Sequence, residues 1–528
     1  MSAAVPRVVI IGLDGADWSL LRPLFADGVM PTLKAFVEAG VSATLESVRP
    51  TNSMSGWASL MTGVNPGKHG LYDFVRGTGT PFETVVTNSS VIRFPTIWET
   101  LTAAGLYSCV IDMPPLDPPF AINGVMLGGI GATGHTSSVA SYPAEAGERV
   151  RRAVGAFVPD VTWTGKAGHE EELVDDLIAH VENRQQVAEF FLSDSPVDLF
   201  SIVFVAPDRL QHVFWQDLIE QRSQYALARR FYAALDEALA RLLDRLDLTV
   251  TDVLFVSDHG FRRFQKMLNV NQLFVEMGWS ELKWADTLAG GALRFVGTHV
   301  PLPHRAGLAL YHLYSKLYPS PGGPMPRLLS NSIAYSEMAE GVNINLKGRE
   351  STGRVPQDEF DNIRNMVAAG LLEFREQETD EPVVKRLIKR EEYFHGEYAG
   401  EAPDLLLEFH DGYSSGAPTG KLLYIWPWCQ GVHSRAGIIS GLGPHFRRNT
   451  ECPTVSILDV TPTVLSLLGV SPPEGTDGRI AQELLTGSLP ATDKPSAPPP
   501  ERRKEPSAYS EEEEAVVRER LRGLGYIE

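Results

Sequence analysis

The sequence predicts an α/β fold built on a mostly parallel central sheet, and three observations carry that expectation. Apolar, β-branched runs at 8–11, 199–205 and 253–256 have the composition of strands buried on both faces. Helical spacing fills the stretches 170–192 and 225–246 between them. Each run is closely followed by an aspartate: Asp14, Asp208 and Asp258. Open α/β sheets bind ligands just outside the carboxyl ends of their strands, so these three acids are placed for chemistry.

Taken in order, the first strand ends in I-G-L-D-G, where Asp14 reads either as a ligand or as a turn former. A helix follows over 18–39, interrupted near Met30-Pro31, with Gly40 as its C-cap. A strand over 41–48 delivers the chain to Thr51, Asn52 and Ser53. The hydroxyl-rich stretch P-T-N-S-M-S-G-W is therefore a strand-to-helix junction, whose N–H groups attract anions. The alternative reading of these hydroxyls is a helix N-cap. A helix at 97–104 and a strand at 108–111 come next, then loops at 112–115 and 128–141.

Asp208 and His212 stand four apart in P-D-R-L-Q-H and share one face if a helix begins after Pro207. A surface His and a dipole-stabilising Asp would show the same spacing. Asp258 and His259 diverge in a regular strand but converge at a turn, which Gly260 permits. Residues 265–430 have the weakest patterning: a basic, aromatic stretch at 299–318, strands at 333–335, 342–346 and 404–409, and a helix at 358–374. His433 precedes a strand at 436–440, and Asp459 is the expected N-cap of a helix closed by Gly469.

Five segments are expected: a first catalytic part at 1–264, a cap-like insertion with some core elements at 265–430, and a second catalytic part at 431–485. A disordered Pro/Ser-rich linker at 486–509 leads to a helical tail at 510–528. Ser510 and Glu513 have capping-box spacing in that tail. Leu521, Tyr526 and Ile527 could dock it.

The chain has 528 residues and a formal net charge of −19, which argues against a stable nucleic-acid partner. Three cysteines imply no disulfide framework and favour a reducing compartment. No leader is recognisable and no apolar run approaches the roughly 18 residues of a membrane span, so a cytoplasmic location is expected.

A serine hydroxyl is a poor nucleophile near neutral pH until a base or a metal lowers its pKa. Two divalent ions together stabilise attacking and leaving oxygens in phosphoryl transfer. Asp14, Ser53, Asp208, His212, Asp258, His259 and His433 are the donor set such a centre needs, and most of them follow a strand. The order I-G-L-D-G, P-T-N-S, T-G-V-N-P-G-K-H-G, P-D-R-L-Q-H, S-D-H-G and G-V-H resembles the type I phosphodiesterase and nucleotide pyrophosphatase group of the alkaline phosphatase superfamily. The likeness spans residues 8–470 and is greatest to the branch described as predicted phosphohydrolases or phosphomutases.

That resemblance implies an alkaline-phosphatase-like three-layer sandwich and two metal sites, zinc first and manganese as the alternative. Asp14, Asp258 and His259 would hold one ion, Asp208, His212 and His433 the other, with Ser53 between them as nucleophile. It implies a small phosphate ester as substrate, a diester or nucleotide-like molecule, and a phosphoseryl-type intermediate. His69 matches the motif as a structural residue. Two positions depart from the family pattern. Ser55-Gly56-Trp57 stand where diesterases often carry an Asn, which makes Asn52, or a backbone N–H in its place, the candidate substrate contact. Gln211 stands where many relatives have Gly. A phosphomutase on a sugar phosphate using the same two-metal site, and a non-enzymatic scaffold, are the alternatives. The C/S-x-P-S-R context of sulfatases is absent. A homodimer is compatible with the sequence.

Overall fold

The structure is a computed structural model. It describes residues 6–129, 139–158, 160–161, 163, 168–194, 196–283, 327–328, 331–416, 422–426, 428–487, 489, 509, 514–515 and 517–518. The elements that build the central layer and its flanks run in chain order: β1 (Val8–Leu13), α1 (Trp18–Ala26), α2 (Pro31–Ala39), β2 (Val41–Glu46), α3 (Ser53–Thr62), β3 (Ser108–Ile111), β4 (Gly124–Leu127), β5 (Ser141–Tyr142), α4 (Glu170–Asp194), β6 (Leu199–Phe204), α5 (Ala206–Ile219), α6 (Tyr225–Leu243), β7 (Asp252–Val256), β8 (Gly260–Leu268), β9 (Gly431–Ser434) and β10 (Ala436–Leu442).

The central sheet has the order β2–β10–β7–β1–β6–β3–β4–β5. The middle of it, β7–β1–β6–β3–β4, is parallel, while β10 and β5 run the other way. Side chains alternate across the sheet with period two. Val9, Ile11 and Leu13 enter a core with α1, α2, α4 and α6, while Val8 and Ile10 enter a second core with α3 and Trp98. The same alternation holds in β6 and β7, and the result is the three-layer α/β sandwich.

Register explains the site. β1 pairs with β6 from Val8↔Leu199 to Leu13↔Phe204, and with β7 from Val8↔Asp252 to Gly12↔Val256. In-register parallel strands end together, so Asp14, Asp208 and Asp258 emerge at one edge.

The interruption expected near Met30-Pro31 is present: the stretch 18–39 forms two helices, parted at Asp27–Met30, with Pro31 as the first residue of the second. Other expectations need correcting. The α1 cap is Asp17, which accepts from the Ser19 N–H (2.7 Å), and this releases Asp14 from the turn-former reading. Gly260 is the first residue of β8 rather than a left-handed turn. It must be glycine because a Cβ would stand 2.1 Å from the Ala436 carbonyl oxygen. Asp459 precedes its helix but does not cap it: its carboxylate accepts from the Arg479 N–H (2.8 Å). Gly431–Ser434 is itself a strand, paired antiparallel with β8. The strand β4, four residues long, is too short to be read from pattern alone.

The 265–430 region contributes a four-stranded sheet in the order Ala334–Tyr335, Gly341–Ile344, Leu405–Phe409, Val384–Lys389, and the helix Phe360–Glu373. Val342, Ile344, Leu405 and Leu407 from this sheet join Leu273, Phe274, Val367 and Leu371 in a separate core. The 299–318 stretch, the 510–513 capping box, Leu521, Tyr526, Ile527 and most of the 488–507 linker lie outside the described residues. The described part of the tail docks through buried Val517, through Arg518 on the Thr84 carbonyl, and through Tyr509 Oη on Asp117 Oδ2 (3.0 Å).

Burial pushes the Glu337 carboxyl of this region up to about 7, although it accepts from the Phe82 N–H at 3.0 Å. Between its unfolded value near 4.5 and about 7, the folded state holds a proton that the unfolded chain has released. Stability from this group therefore falls as pH rises through that window. Glu337→Gln should flatten the loss by about 1–2 kcal/mol, read as a smaller difference in melting temperature between pH 5 and pH 7.5.

Candidate active site

Asn52 caps α3: its Oδ1 accepts from the Ser55 N–H at 2.9 Å, and its Nδ2 donates to the Tyr72 carbonyl at 2.9 Å. The N-cap reading of the hydroxyl turn thus holds for Asn52, and it leaves Ser53 as the first residue of the helix. Ser53 is fully buried, and its Oγ lies 3.4 Å from Asp14 Oδ1 and 3.3 Å from His259 Nε2. The other hydroxyls are structural. Ser55 Oγ donates to the Pro50 carbonyl (2.5 Å), and Ser59 Oγ pairs with His69 Nε2 (2.9 Å). His69 is fully buried and accepts from the Leu71 N–H (3.1 Å). Burial depresses its pKa to about 3, which makes it a neutral brace.

Two clusters of acid and imidazole groups flank Ser53. Asp14, Asp258 and His259 form one, and Asp208, His212 and His433 form the other. All seven residues selected from the sequence are brought together. In the first cluster His259 Nε2 is 3.2 Å from Asp258 Oδ2 and 3.8 Å from Asp14 Oδ1. In the second, His433 Nε2 is 3.2 Å from Asp208 Oδ1 and 3.1 Å from His212 Nε2. The clusters adjoin: His259 Nε2 is 3.9 Å from Asp208 Oδ1, and the rings of His259 and His433 stack at 3.7 Å. His433 reaches this position because it faces Phe261 in the β8–β9 pair.

The hydrogen bonds fix which ring nitrogen points inward. Nδ1 of His212 meets the Gly431 carbonyl (2.9 Å), Nδ1 of His433 the Thr51 carbonyl (3.1 Å), and Nδ1 of His259 the Gly260 carbonyl (3.2 Å). A carbonyl only accepts, so each Nδ1 carries a proton and each ring turns its Nε2 to the centre. A backbone carbonyl behind each imidazole is the usual support for a metal-binding histidine. Asp258 Oδ2 is buried and accepts no hydrogen bond among the described residues.

Electrostatics points the same way. Burial, then the neighbouring Asp258 and Asp208, raises the Asp14 carboxyl well above the carboxylate range. Burial and Asp208 push Asp258 up to about 7. Burial also opposes ionisation of Asp208, but the imidazoles of His212 and His433 and the Arg209 guanidinium override it and hold its pKa well down. Burial depresses His212 to about 4 and holds His259 well below the usual imidazole range. Burial opposes charge on His433 too, yet the hydrogen bond and charge of Asp208 raise its pKa. Three buried carboxylates and two inward Nε2 atoms 3.1 Å apart form a centre short of positive charge. Divalent cations supply that charge and invert the local pKa logic, so the residues present fit them. Histidine and carboxylate donors suit zinc, and manganese is compatible.

Sequence reasoning missed the supporting residues. Trp57 Nε1 donates to Asp14 Oδ2 at 3.1 Å, and the Gly15 N–H donates to Asp258 Oδ1 at 3.2 Å. Arg209 Nη1 donates to Asp208 Oδ2 (2.6 Å) while its Nη2 reaches Asp160 Oδ2 (3.0 Å). Trp57 and Arg209 lie inside the motifs, but a Trp in an apolar run and an Arg beside an Asp carry no distinct sequence signal. The inserted region also reaches the Ser53 turn. Glu340 Oε2 accepts from the Thr51 N–H (3.4 Å), and Tyr393 Oη accepts from the Arg49 N–H (3.0 Å).

Comparison with known proteins agrees with this fold. No curated protein sequence matches the chain. Among solved structures, murine ectonucleotide pyrophosphatase/phosphodiesterase 5 is similar with a TM-score of 0.53 at 14% identity, covering 91% of this chain and 100% of that one. The human counterpart gives 0.53 and 14%, covering 91% and 99%. An inactive form of the murine protein in complex with AMP gives 0.53 and 14%, covering 91% and 100%. At that identity the likeness shows the fold. The family model described as type I phosphodiesterase / nucleotide pyrophosphatase matches residues 8–434. Its match takes in the Ser53 turn and both acid–imidazole clusters, and the chain belongs to the type I phosphodiesterase / nucleotide pyrophosphatase family of phosphate-ester hydrolases.

Proposed function

We propose that the protein is a metal-dependent hydrolase of phosphate diesters or nucleotide-like esters that works through a phosphoseryl intermediate on Ser53. The carrying observation is the position of Ser53 Oγ at the start of α3, within 3.4 Å of the first cluster, which itself adjoins the second. Asp14, Asp258 and His259 would hold one divalent ion and Asp208, His212 and His433 the other. When bound, the two ions supply Lewis acidity for the attacking and leaving oxygens.

The chain's own residues do the rest. Ser53 is the attacking group: its Oγ forms the bond to phosphorus as the ester oxygen leaves with its alcohol. Water then displaces Ser53 Oγ from phosphorus, releasing the phosphate product and restoring the hydroxyl. The N-terminus of α3 favours the negative charge that gathers on Ser53 Oγ and on the phosphoryl oxygens. Carbonyls of Thr51, Gly260 and Gly431 hold the three imidazoles in one tautomer throughout. Zinc is the first choice of metal and manganese the second, on the mixed nitrogen and oxygen donor set. Three free cysteines, one of them the buried Cys109, support a cytoplasmic location.

A substrate panel tests this reading. Bis-p-nitrophenyl phosphate should turn over faster than p-nitrophenyl phosphate, and sugar phosphates should not isomerise. Isomerisation without phosphate release would replace the hydrolase reading with a phosphomutase.

A further inference from the structure

Gln211 has no role in the chemistry above, yet it occupies the seam between the two clusters. It lies on α5 between Asp208 and His212 and is fully buried. Its Nε2 donates to the Gly15 carbonyl at 3.0 Å and to the Pro207 carbonyl at 3.1 Å. The Gly15 N–H in turn donates to Asp258 Oδ1 at 3.2 Å. A continuous path therefore runs from the start of α5 through the Gln211 amide and the residue after Asp14 to the carboxylate of Asp258. One end carries the Asp208 cluster and the other the Asp14 cluster.

Two further features tie the side chain to this task. Gln211 Oε1 is buried and accepts nothing among the described residues. Reversing the amide would set an oxygen against two carbonyl oxygens, so the orientation is forced, and the unpaired acceptor is the cost of keeping both donors in place. Gly15 has φ +69°, and a Cβ there would stand 2.5 Å from the Phe261 ring and 3.1 Å from Gln211 Nε2. The strand-end loop is thus shaped to bring its carbonyl under the glutamine.

We infer that Gln211 is a positioning residue that sets the spacing between the two metal-binding clusters. It touches neither substrate nor metal and acts through Gly15 and Asp258 on one side and through the first turn of α5 on the other. The inference rests on the two-metal reading, which needs a separation fixed within a few tenths of an ångström to serve both oxygens of an in-line displacement.

Gln211→Met keeps the volume and removes both donors, and Gln211→Glu keeps the shape and turns a donor into an acceptor. The full-length protein is stripped of metal and titrated with Mn²⁺ by calorimetry. The loaded protein is then examined by electron paramagnetic resonance, which reads the exchange coupling of a manganese pair. Wild type should bind two ions as a coupled pair. Both variants should bind the second ion about 10–100-fold more weakly, show altered coupling and lose kcat by a similar factor at nearly constant KM. A Gln216→Ala variant, which removes a different α5 side-chain bond, to the Phe264 carbonyl, controls for general loosening of the helix. Two ions bound at wild-type affinity, with unchanged coupling and kcat within about twofold in both Gln211 variants, would overturn the inference alone. Failure of wild type to bind a pair would instead overturn the two-metal reading beneath it.

Discussion

Ser53→Ala is expected to lower phosphodiester turnover by at least about 10³-fold while both ions remain bound. The substitution removes the oxygen that attacks phosphorus in the proposed mechanism and leaves the Asp14, Asp258, His259 cluster and its supports untouched. Trp57 still donates to Asp14, and the Gly15 N–H still donates to Asp258. Asn52, not Ser53, caps α3, so the helix should keep its start and the melting temperature should change little. Metal content, melting temperature and kcat measured on one preparation separate a lost nucleophile from a damaged fold. Retained activity above a small fraction would remove Ser53 from its role.

Asp208→Asn is expected to weaken one ion by roughly 100-fold or more and to lower turnover in step. Asp208 uses both oxygens: Oδ2 accepts from Arg209 and Oδ1 faces His433 Nε2. An asparagine must present an NH₂ group to one of them. Facing Arg209 it opposes the guanidinium N–H, and facing His433 it puts protons where a ligand lone pair is needed. Either orientation also leaves Arg209 less well neutralised in a buried position, although its pairing with Asp160 is kept. The metal-to-protein ratio should fall toward one per chain at limiting metal, and excess metal should restore part of the activity. An unchanged ratio would reassign the cluster.

The parts of this site that were legible in the sequence share one cause. Strands β1, β6 and β7 are buried on both faces, so their apolar runs stand out, and an aspartate just past each run is a local signal. Spacing of four on a helix put Asp208 and His212 together. His433 was legible only through the shared motif order. Its arrival depends on β9 pairing with β8 across more than 160 residues, a contact that no local pattern encodes. The supports were hidden for the same reason. Thr51, Gly260 and Gly431 act through backbone carbonyls, which leave no trace in residue type. Gly260 was read as a turn because glycine usually marks freedom of φ, whereas here it marks crowding by the Ala436 carbonyl. Asp459 had the sequence of a cap, but the backbone of Arg479 claimed its carboxylate.

Metal analysis of the purified full-length protein, run alongside hydrolysis of bis-p-nitrophenyl phosphate, tests the central claim most directly. Two divalent ions per chain, with activity that falls on chelation and returns on adding zinc or manganese, is the predicted result. A chain that binds no divalent metal, or that hydrolyses the diester at full rate without it, would contradict the reading of the Asp14 and Asp208 clusters as the centre that activates Ser53.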